Sequence, residues 1–235
     1  AASSAPYSVG WVDATAQGAA LGRGILEEAE ISDGRVPKPA RPKSVPINAP
    51  GFALSSPIVR GFNAAYYRRI PPQGRRVSRS FEDFFFPLDR IHDWNKLYGK
   101  KGFHQFQCVL PLDEAPRLRE MLALIASSGR ASPLAVLKRL GPGRAGMMSF
   151  PMEGWTLAVD FPARAGTEDL ISRLEDMTLT GGGRIYLAKD ALADAATVDA
   201  MYPERGAWAA SAAKADPDGA LTTDIVRRLD LRRVQ

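Results

Sequence analysis

The stretch Gly141–Gly146, GPGRAG, has the G-x-G-x-x-G spacing that binds the pyrophosphate of a dinucleotide. In that motif a helix must follow the glycines, because the phosphate lies on the free amides of the first helical turn. Here a strand-like segment ends at Leu140, and the residues that follow, MMSFPMEGW, include Pro151 and are again strand-like. We therefore interpret GPGRAG as a turn between two sheet strands and reject a nucleotide-binding domain built on it.

Other residue types indicate which chemistry the chain does not perform. Cys108 is the only cysteine and His92 and His104 are the only histidines, which argues against a disulfide, a cysteine zinc cluster or a histidine-rich metal site. The net charge of +5 is spread out without a basic, aromatic-rich block, so we expect no nucleic-acid partner. Apolar runs such as Met121–Ala126 are far shorter than the roughly 18 residues of a membrane span.

The clearest structural pattern lies between residues 103 and 188. Alternating or apolar runs predict four strands, and two segments with apolar residues at helical spacing predict two helices. In order these are FHQFQCVLP, EAPRLREMLALIASSG, PLAVLKRLG, WTLAVDFP, EDLISRLEDMTLTGGG and RIYLA. Asp113 is expected to cap the first helix and Gly129 to end it, and Thr167 is expected to open the second. The order strand, helix, strand, strand, helix, strand predicts an α+β, ferredoxin-like split βαβ fold.

In such a fold two helices cover one face of an antiparallel sheet and leave the other face available for a ligand. The alternation of the strands places Gln105 and Gln107 opposite His104 and Cys108. We expect the open face to carry Gln105, Gln107, Lys138 and Thr156. His104 and Cys108 are interpreted as structural residues of the core side.

The segments on either side of residues 103–188 differ from it in amino-acid composition. Residues 37–57 contain six prolines and are predicted to form a long surface loop. The following PIVRGFNAAYYRRIPP has Pro57 in its first turn and apolar residues at helical spacing, which predicts a helix. Beyond Ala188 the chain is alanine-rich and predicts short helices in series, with an arginine-rich end that we interpret as a solvated face.

Several blocks of sequence together resemble one enzyme family. They are PLDRIHDWNKLYGKKGFHQFQCVLP, SGRASPLAVLKRLG, SFPMEGWTLAVDFP, GGGRIYLAKDALADAATVDAMYP and KADPDGALTTDIVRRLDL. In this order they are similar to the FAD-linked oxidases of the vanillyl-alcohol-oxidase class that are related to decaprenylphosphoryl-β-D-ribose oxidase. The resemblance runs from about Tyr7 to Leu231 and corresponds to the C-terminal half of the family.

The resemblance implies a division of the chain into two parts. Residues 1–183 correspond to the substrate-binding (cap) domain, with the proline-rich loop 37–57, and residues 184–235 to a helical segment that returns to the FAD-binding domain. An N-terminal domain that holds most of the FAD is then expected outside this chain, in agreement with a first residue, Ala1, that is not methionine. A cytoplasmic location is implied, with contact at the inner membrane face if the substrate is lipid-linked.

The family's functional residues can be carried over by position. Lys189 matches a lysine beside the flavin and substrate that turnover requires, and Tyr186 matches an active-site tyrosine; both are expected to be catalytic and to border the cofactor. Physically, an ammonium near a reacting hydroxyl stabilises the alkoxide that develops as hydride leaves. Gln107 and Lys138 match polar residues of the substrate pocket.

Some pocket positions depart from the family pattern. Thr156 and Ala158 stand where asparagine and cysteine are typical, Leu140 replaces a common aromatic residue, and Phe86 replaces a histidine. These residues alter the pocket wall, so the resemblance implies oxidation of a sugar or polyprenyl-linked sugar hydroxyl without specifying the compound. The alternative is a stand-alone, non-catalytic ferredoxin-like module that binds a ligand or a partner protein with its open face.

Overall fold

The computed structural model describes residues 5–34, 37, 41–143 and 146–233. Short 3₁₀ turns connect several of the regular elements. In chain order the strands and helices are β1 (Tyr7–Val12), β2 (Gly24–Ala29), β3 (Lys43–Ser44), α1 (Ser56–Arg68), α2 (Phe81–Phe85), β4 (Ile91–His92), β5 (Phe103–Leu110), α3 (Ala115–Ser128), β6 (Ala135–Leu140), β7 (Gly154–Pro162), α4 (Thr167–Thr180), β8 (Arg184–Ile185), α5 (Ala195–Met201), α6 (Arg205–Ala215) and α7 (Asp224–Arg228).

Six strands form one sheet in the order β2-β1-β6-β7-β5-β8, and every neighbouring pair is antiparallel. The predicted α+β class with an antiparallel sheet is therefore confirmed. The four strands that the sequence predicted, β5 to β8, lie side by side, and α3 and α4 connect β5 to β6 and β7 to β8.

The pairing of β5 with β7 determines which residues face the core. It runs over the whole of β5, from Phe103 opposite Pro162 to Leu110 opposite Trp155. Alternate residues on this pair point to opposite faces, so one face is apolar and the other polar. The apolar face packs under the helices and includes Phe106, Cys108, Leu110, Leu157, Val159 and Phe161, each at most 3% exposed.

Helices α3 and α4 cover this apolar face with the stripes that the sequence predicted. Their buried residues include Leu118, Met121, Leu122 and Ile125 on α3 and Leu170, Ile171 and Leu174 on α4. Gly129 ends α3 with a φ of 64°, as expected for a left-handed C-cap. The predicted cap at Asp113 is wrong, because Asp113 lies in a 3₁₀ turn before α3 and its side chain caps nothing there. Thr167 is the first residue of α4, and its hydroxyl donates to the Pro162 carbonyl.

The sequence analysis did not predict the hairpin of β1 and β2, which extends the sheet beyond β6. The predicted helix α1 is confirmed, and it packs beside this extension through a contact between the rings of Trp11 and Tyr66, with centroids 4.7 Å apart. Trp11 lies on the polar face of the sheet, since it pairs with Val136. Helix α1 therefore borders the polar face at its β1 end.

The proline-rich segment is only partly a loop. Residues 38–40 lie outside the described part, but Lys43–Ser44 pairs in parallel with β4, a 3₁₀ turn covers Gly51–Leu54, and α1 already begins at Ser56. The expectation that this segment forms no ladder and no helix is corrected in these places. Prolines exclude only some backbone donors, and the residues between them remain free to pair.

The turn between β6 and β7 contains the glycine motif. Residues 144 and 145 of GPGRAG lie outside the described part, and residues 146–153 contain no helix. The predicted strand character of MMSFPMEGW is wrong before Gly154, where β7 begins. A Cβ at Gly154 would lie 2.0 Å from the Leu110 carbonyl oxygen, so glycine is needed for this close approach of β7 to β5.

The last predicted strand, RIYLA, is much shorter than expected, because β8 contains only Arg184 and Ile185. After it the chain turns, and the Lys189 amide donates to the Tyr186 carbonyl at 2.9 Å.

The predicted short helices in series are α5, α6 and α7. Tyr202, after α5, donates its hydroxyl to the Ile185 carbonyl at 2.5 Å. Residues of the C-terminal segment share the core with the sheet, and the domain boundary at 183/184 stays a prediction.

Two further observations concern only the described residues. None of their helices combines the length and the apolar character needed to cross a membrane. They also contain no group of three or more His, Cys, Asp or Glu side chains that could hold a metal ion.

Asp13 connects the N-terminal hairpin to α1. Its side chain is buried and accepts hydrogen bonds from the Thr15 amide and hydroxyl, from Arg23 through two nitrogens at 2.9 and 2.7 Å, and from Asn63 at 2.8 Å. Burial alone would raise the pKa of Asp13, but these hydrogen bonds outweigh it and lower the pKa. The ionised carboxylate is therefore the form that the fold stabilises.

We expect Asp13→Ala to lower the free energy of unfolding by about 3 to 5 kcal/mol at pH 7, because it leaves Arg23 and Asn63 without their partner. The pKa of Asp13 is lower in the folded than in the unfolded state. The difference in free energy of unfolding between wild type and Asp13→Ala is therefore fully present above the unfolded-state pKa and decreases as the pH falls through the folded-state pKa. Urea unfolding at pH 7 and at pH 3 measures this. Asp33→Ala, at an exposed aspartate, is the control and should change stability by less than about 0.5 kcal/mol. An equal loss in both variants would contradict the role of Asp13.

Candidate functional site

The polar face of the sheet carries most of the predicted pocket residues. The Gln107 side-chain amide donates to the Thr156 hydroxyl at 3.0 Å across the β5–β7 pair. Lys138 on β6 lies directly opposite Thr156, and Ala158 lies opposite Gln107. Leu140 lies opposite Gly154, one step further along the same face. The structure therefore brings Gln107, Thr156, Lys138 and Ala158 together and places Leu140 at their margin.

Lys189 lies in the turn after β8, close enough to Asp160 and Lys138 of the polar face for their charges to shift its pKa. It is half-buried, and its ammonium makes no hydrogen bond or ion pair with any residue that the structure describes. Burial lowers the pKa of Lys189 and the charge of Lys138 adds to this, whereas the charge of Asp160 opposes it. A half-buried ammonium without a bonded partner can interact with an anion or with a developing negative charge.

Asp160 belongs to this site, although the sequence analysis did not single it out. It lies opposite Gln105 in the β5–β7 pair and is only 3% exposed. Gln105 donates to one carboxylate oxygen at 3.1 Å, and the Tyr98 hydroxyl contacts the other at 3.1 Å. Burial raises the pKa of Asp160, while the hydrogen bonds and the charge of Lys189 oppose this rise. The available signal was a lone acidic residue on the predicted open face of WTLAVDFP.

Tyr186 is at the edge of the site rather than in a strand. Its backbone amide donates to the Gln107 carbonyl at 2.8 Å, and its ring packs on Phe150, with centroids 4.8 Å apart. Tyr186 and Lys189 are joined by a turn hydrogen bond, so the expectation that Tyr186 lies within the strand RIYLA is wrong. The backbone contacts fix Tyr186 beside Gln107.

The residues interpreted as structural lie off the polar face, and of these His104 also lines a crevice at the edge of β5. Cys108 is fully buried in the core under the helices, and burial raises its pKa to about 12. His104 is on the same side of β5 as Cys108 and faces away from Gln105 and Gln107. Phe86, at a position where the family has histidine, is 49% exposed and belongs to an aromatic group with Phe81 and Phe85 after α1.

A narrow crevice follows the part of β5 that β8 leaves unpaired. Its lining includes Gln105 and Gln107 from β5, Glu175 from α4, Tyr186 and Asp190. Asp190 accepts hydrogen bonds from the amides of Leu192 and Ala193 and pairs with Arg228 at 2.6 Å. Burial, together with the charges of Asp190, Asp194 and Asp176, raises the pKa of Glu175 to about 7, and Arg228 only partly offsets this. The crevice therefore contains a carboxyl group that titrates near neutral pH.

Because the folded-state pKa of Glu175 is raised, the fold favours its protonated form, and stability should fall as the pH rises from about 4.5 through 7. We expect Glu175→Gln to be more stable than the wild type at pH 8 by about 2 kcal/mol and similar to it at pH 4. Urea unfolding at the two pH values tests this. Glu120→Gln, at an exposed glutamate of α3, is the control and should show no such pH-dependent gain. A wild-type stability that rises over this range, together with no gain in Glu175→Gln, would refute the assignment.

Comparison with known proteins gives two informative relatives. The chain is 32% identical over 236 residues to decaprenylphosphoryl-β-D-ribose oxidase of Mycolicibacterium smegmatis, covering 96% of this chain and 51% of the relative. The chain is homologous to one half of this oxidase. It is also 30% identical over 243 residues to an uncharacterized protein in the mprA 5′ region of Streptomyces coelicolor, covering 96% of this chain and 66% of that protein. No protein-family model matches.

These matches confirm the resemblance that the ordered sequence blocks predicted. The chain spans about half the length of the oxidase and about two thirds of the Streptomyces protein. The roles of the individual site residues stay predictions.

Proposed function

We propose that the chain is the substrate-binding half of an FAD-dependent oxidoreductase that oxidises a sugar or polyprenyl-linked sugar hydroxyl. The observation that carries this proposal is the half-buried Lys189 ammonium, which has no bonded partner among the described residues and lies at the polar sheet face with Gln107 and Thr156. The homology with an oxidase whose name specifies a lipid-linked ribose supports it.

The residues present fit the substrate side of a flavin site rather than its phosphate-binding side. The glycine motif is followed by no helix over residues 146–153, so it offers no row of free amides to a pyrophosphate. The polar face instead offers the Gln107 amide group and the ammonium groups of Lys138 and Lys189, which suit a sugar and its phosphate. When bound, FAD supplies the hydride acceptor. Lys189 and Tyr186 are the residues of this chain that would border it.

The chain's own residues then have separate roles. Oxidation transfers a hydride from the carbon to the bound acceptor and releases the hydroxyl proton to water, which leaves a carbonyl group. As the O–H bond breaks, negative charge develops on the substrate oxygen before the hydride has left, and the Lys189 ammonium stabilises that charge. The buried Thr156 hydroxyl accepts a hydrogen bond from Gln107 and so holds the Gln107 side chain, which can orient a sugar hydroxyl. Lys138 is exposed on the same face and can hold the phosphate of a lipid-linked sugar. Ala158 and Leu140 form an apolar part of the pocket wall, which limits the size of the sugar that can bind.

The architecture supports the same proposal. The four strands β6-β7-β5-β8 with α3 and α4 as their connections have the order of a ferredoxin-like split βαβ unit, and we infer that this unit is the substrate domain. The segment after residue 183 would return to an FAD-binding domain, and an N-terminal FAD domain would be its partner. A cytoplasmic location with contact at the inner membrane face belongs to the same proposal.

The test is Lys189→Ala in the protein that joins this chain to its FAD-binding half. With decaprenylphosphoryl-β-D-ribose as the probe, we expect flavin reduction to slow by about 100-fold or more, because one electrostatic donor to the reacting oxygen is lost. Stopped-flow absorbance of the flavin measures this rate. The unreacted flavin spectrum should be unchanged, which separates a loss of chemistry from a loss of cofactor.

Lys101→Ala, at an exposed lysine, is the matched control and should reduce at the wild-type rate. Ribose 1-phosphate, which lacks the lipid, distinguishes a sugar from a lipid-linked sugar as the substrate. A near-normal rate in Lys189→Ala would exclude the role of Lys189. Absence of bound flavin and of reduction by either probe in the wild type would favour the stand-alone binding module instead.

A further inference from the structure

Asp160 is a buried carboxylate without a contacting cation among the described residues. It is 3% exposed, and its two carboxylate oxygens are held by the Gln105 amide and the Tyr98 hydroxyl, each at 3.1 Å. Neutral hydrogen bonds only partly replace water around a buried charge, so such a group costs folding free energy unless an opposite charge compensates it. This cost requires an explanation in the site.

The Asp160 carboxylate is fixed in place by three parts of the chain. Its backbone lies in β7, which pairs with β5, and it also forms hydrogen bonds with the backbone of residues 132 and 134. Its side chain is contacted by Gln105 from β5 and by Tyr98 from the 3₁₀ turn Trp94–Tyr98. The Tyr98 hydroxyl is itself bonded to the Ser132 hydroxyl at 3.1 Å. Because this carboxylate is only 3% exposed and each oxygen accepts a hydrogen bond, it acts on a ligand through the groups around it and not by direct contact.

Lys189 is the cationic residue that the fold brings toward Asp160. Its turn begins at Tyr186, whose amide donates to the Gln107 carbonyl of β5, and Gln105 on the same strand holds the Asp160 carboxylate. The positive charge of Lys189 lowers the pKa of Asp160, and the negative charge of Asp160 raises the pKa of Lys189. Burial and Lys138 act on Lys189 in the opposite direction. Without Asp160, the half-buried Lys189 would face only another lysine, which disfavours its protonated form.

We propose that Asp160 is a positioning residue, whose fixed carboxylate keeps the Lys189 side chain protonated and directed at the polar face where the substrate hydroxyl binds. This inference rests on the proposed function and deepens it. It assigns to the Gln105–Asp160–Tyr98 cluster the task of maintaining one ammonium in its charged form. Tyr98 and Gln105 orient the carboxylate, and Asp160 supplies the charge.

The experiment compares wild type with Asp160→Asn, which keeps the shape and removes the charge, in the FAD-loaded full-length protein. The first readout is the acylation rate of Lys189 as a function of pH, measured by mass spectrometry, because only the neutral amine reacts. We expect the pH at which acylation of Lys189 is half-maximal to be lower in Asp160→Asn than in the wild type by about one pH unit. The midpoint of the exposed Lys101 should not move. This readout requires neither substrate nor turnover.

The second readout is the pH dependence of flavin reduction by decaprenylphosphoryl-β-D-ribose. If Lys189 must be protonated, the rate decreases as the pH rises through its pKa, and Asp160→Asn should move this decrease to lower pH by the same amount as the acylation midpoint. Unchanged acylation in a folded Asp160→Asn protein would overturn the inference. A moved acylation midpoint with an unmoved rate profile would overturn the link to the reaction. Failure of Lys189→Ala to slow reduction concerns the proposed function instead.

Tyr98→Phe separates charge from geometry. It removes one hydrogen bond of Asp160 but keeps the carboxylate and its partner Gln105. The acylation midpoint of Lys189 should move much less than in Asp160→Asn. An equal shift in both variants would show that local packing, and not the charge of Asp160, controls Lys189, and would overturn the inference.

A reciprocal measurement covers the case in which Asp160→Asn does not fold. Coupling between two sites is equal in both directions, so removing the charge of Lys189 must raise the pKa of Asp160 by as much as removing Asp160 lowers that of Lys189. Lys189→Met changes a half-buried residue and is expected to fold. The carboxyl carbon shift of Asp160, followed by nuclear magnetic resonance over pH, should show a rise of about one unit. No change would overturn the inference.

Discussion

The register between β5 and β7 is the constraint on which both the core and the site depend. The two strands pair over all eight residues of β5, so the apolar residues under the helices alternate with residues of the other face, which include Gln105, Gln107, Thr156 and Asp160. A shift of one residue would exchange the two faces and place Gln107 in the core and Cys108 in the site. Core packing therefore fixes the position of the site residues as firmly as it fixes the fold. The polar face is therefore held in place by strands instead of loops.

Much of this arrangement was predictable because its signals are local. The alternation in FHQFQCVLP and WTLAVDFP and the apolar stripes of α3 and α4 are each contained in one short segment, and the structure confirms these elements. The hairpin of β1 and β2 was missed because YSVGWV and GILEEA have weak alternation, and their pairing is decided by contact with β6, far along the chain. The end of β8 was misplaced for a similar reason: RIYLA has strand propensity throughout, but β5 has backbone partners for only part of it.

The site was predictable in a different way. Ordered blocks of sequence resembled a family, and positional matching then indicated Lys189, Gln107 and Lys138 without any knowledge of their contacts. Asp160 could not be found by this route, because its meaning depends on Gln105 across the strand pair and on Tyr98, which is 62 residues away. A sequence shows that a carboxylate lies on a strand. It does not show whether a cation touches that carboxylate, and this contact decides whether the residue is a structural clamp or part of a site.

Asp13 and Asp160 illustrate this difference within one molecule. Both are nearly inaccessible, but Asp13 has a guanidinium on one oxygen and a lowered pKa, whereas Asp160 has only neutral hydrogen bonds and a raised pKa. A buried carboxylate that served only stability would be expected to resemble Asp13, since direct pairing offsets part of the cost of desolvation and an uncompensated buried charge is strongly destabilising. At Asp160 that cost is left partly uncompensated, and the positive charge that opposes it is that of Lys189, which remains unbonded at the polar face. Separation of the two charges keeps the ammonium available to a ligand, which a direct ion pair would prevent.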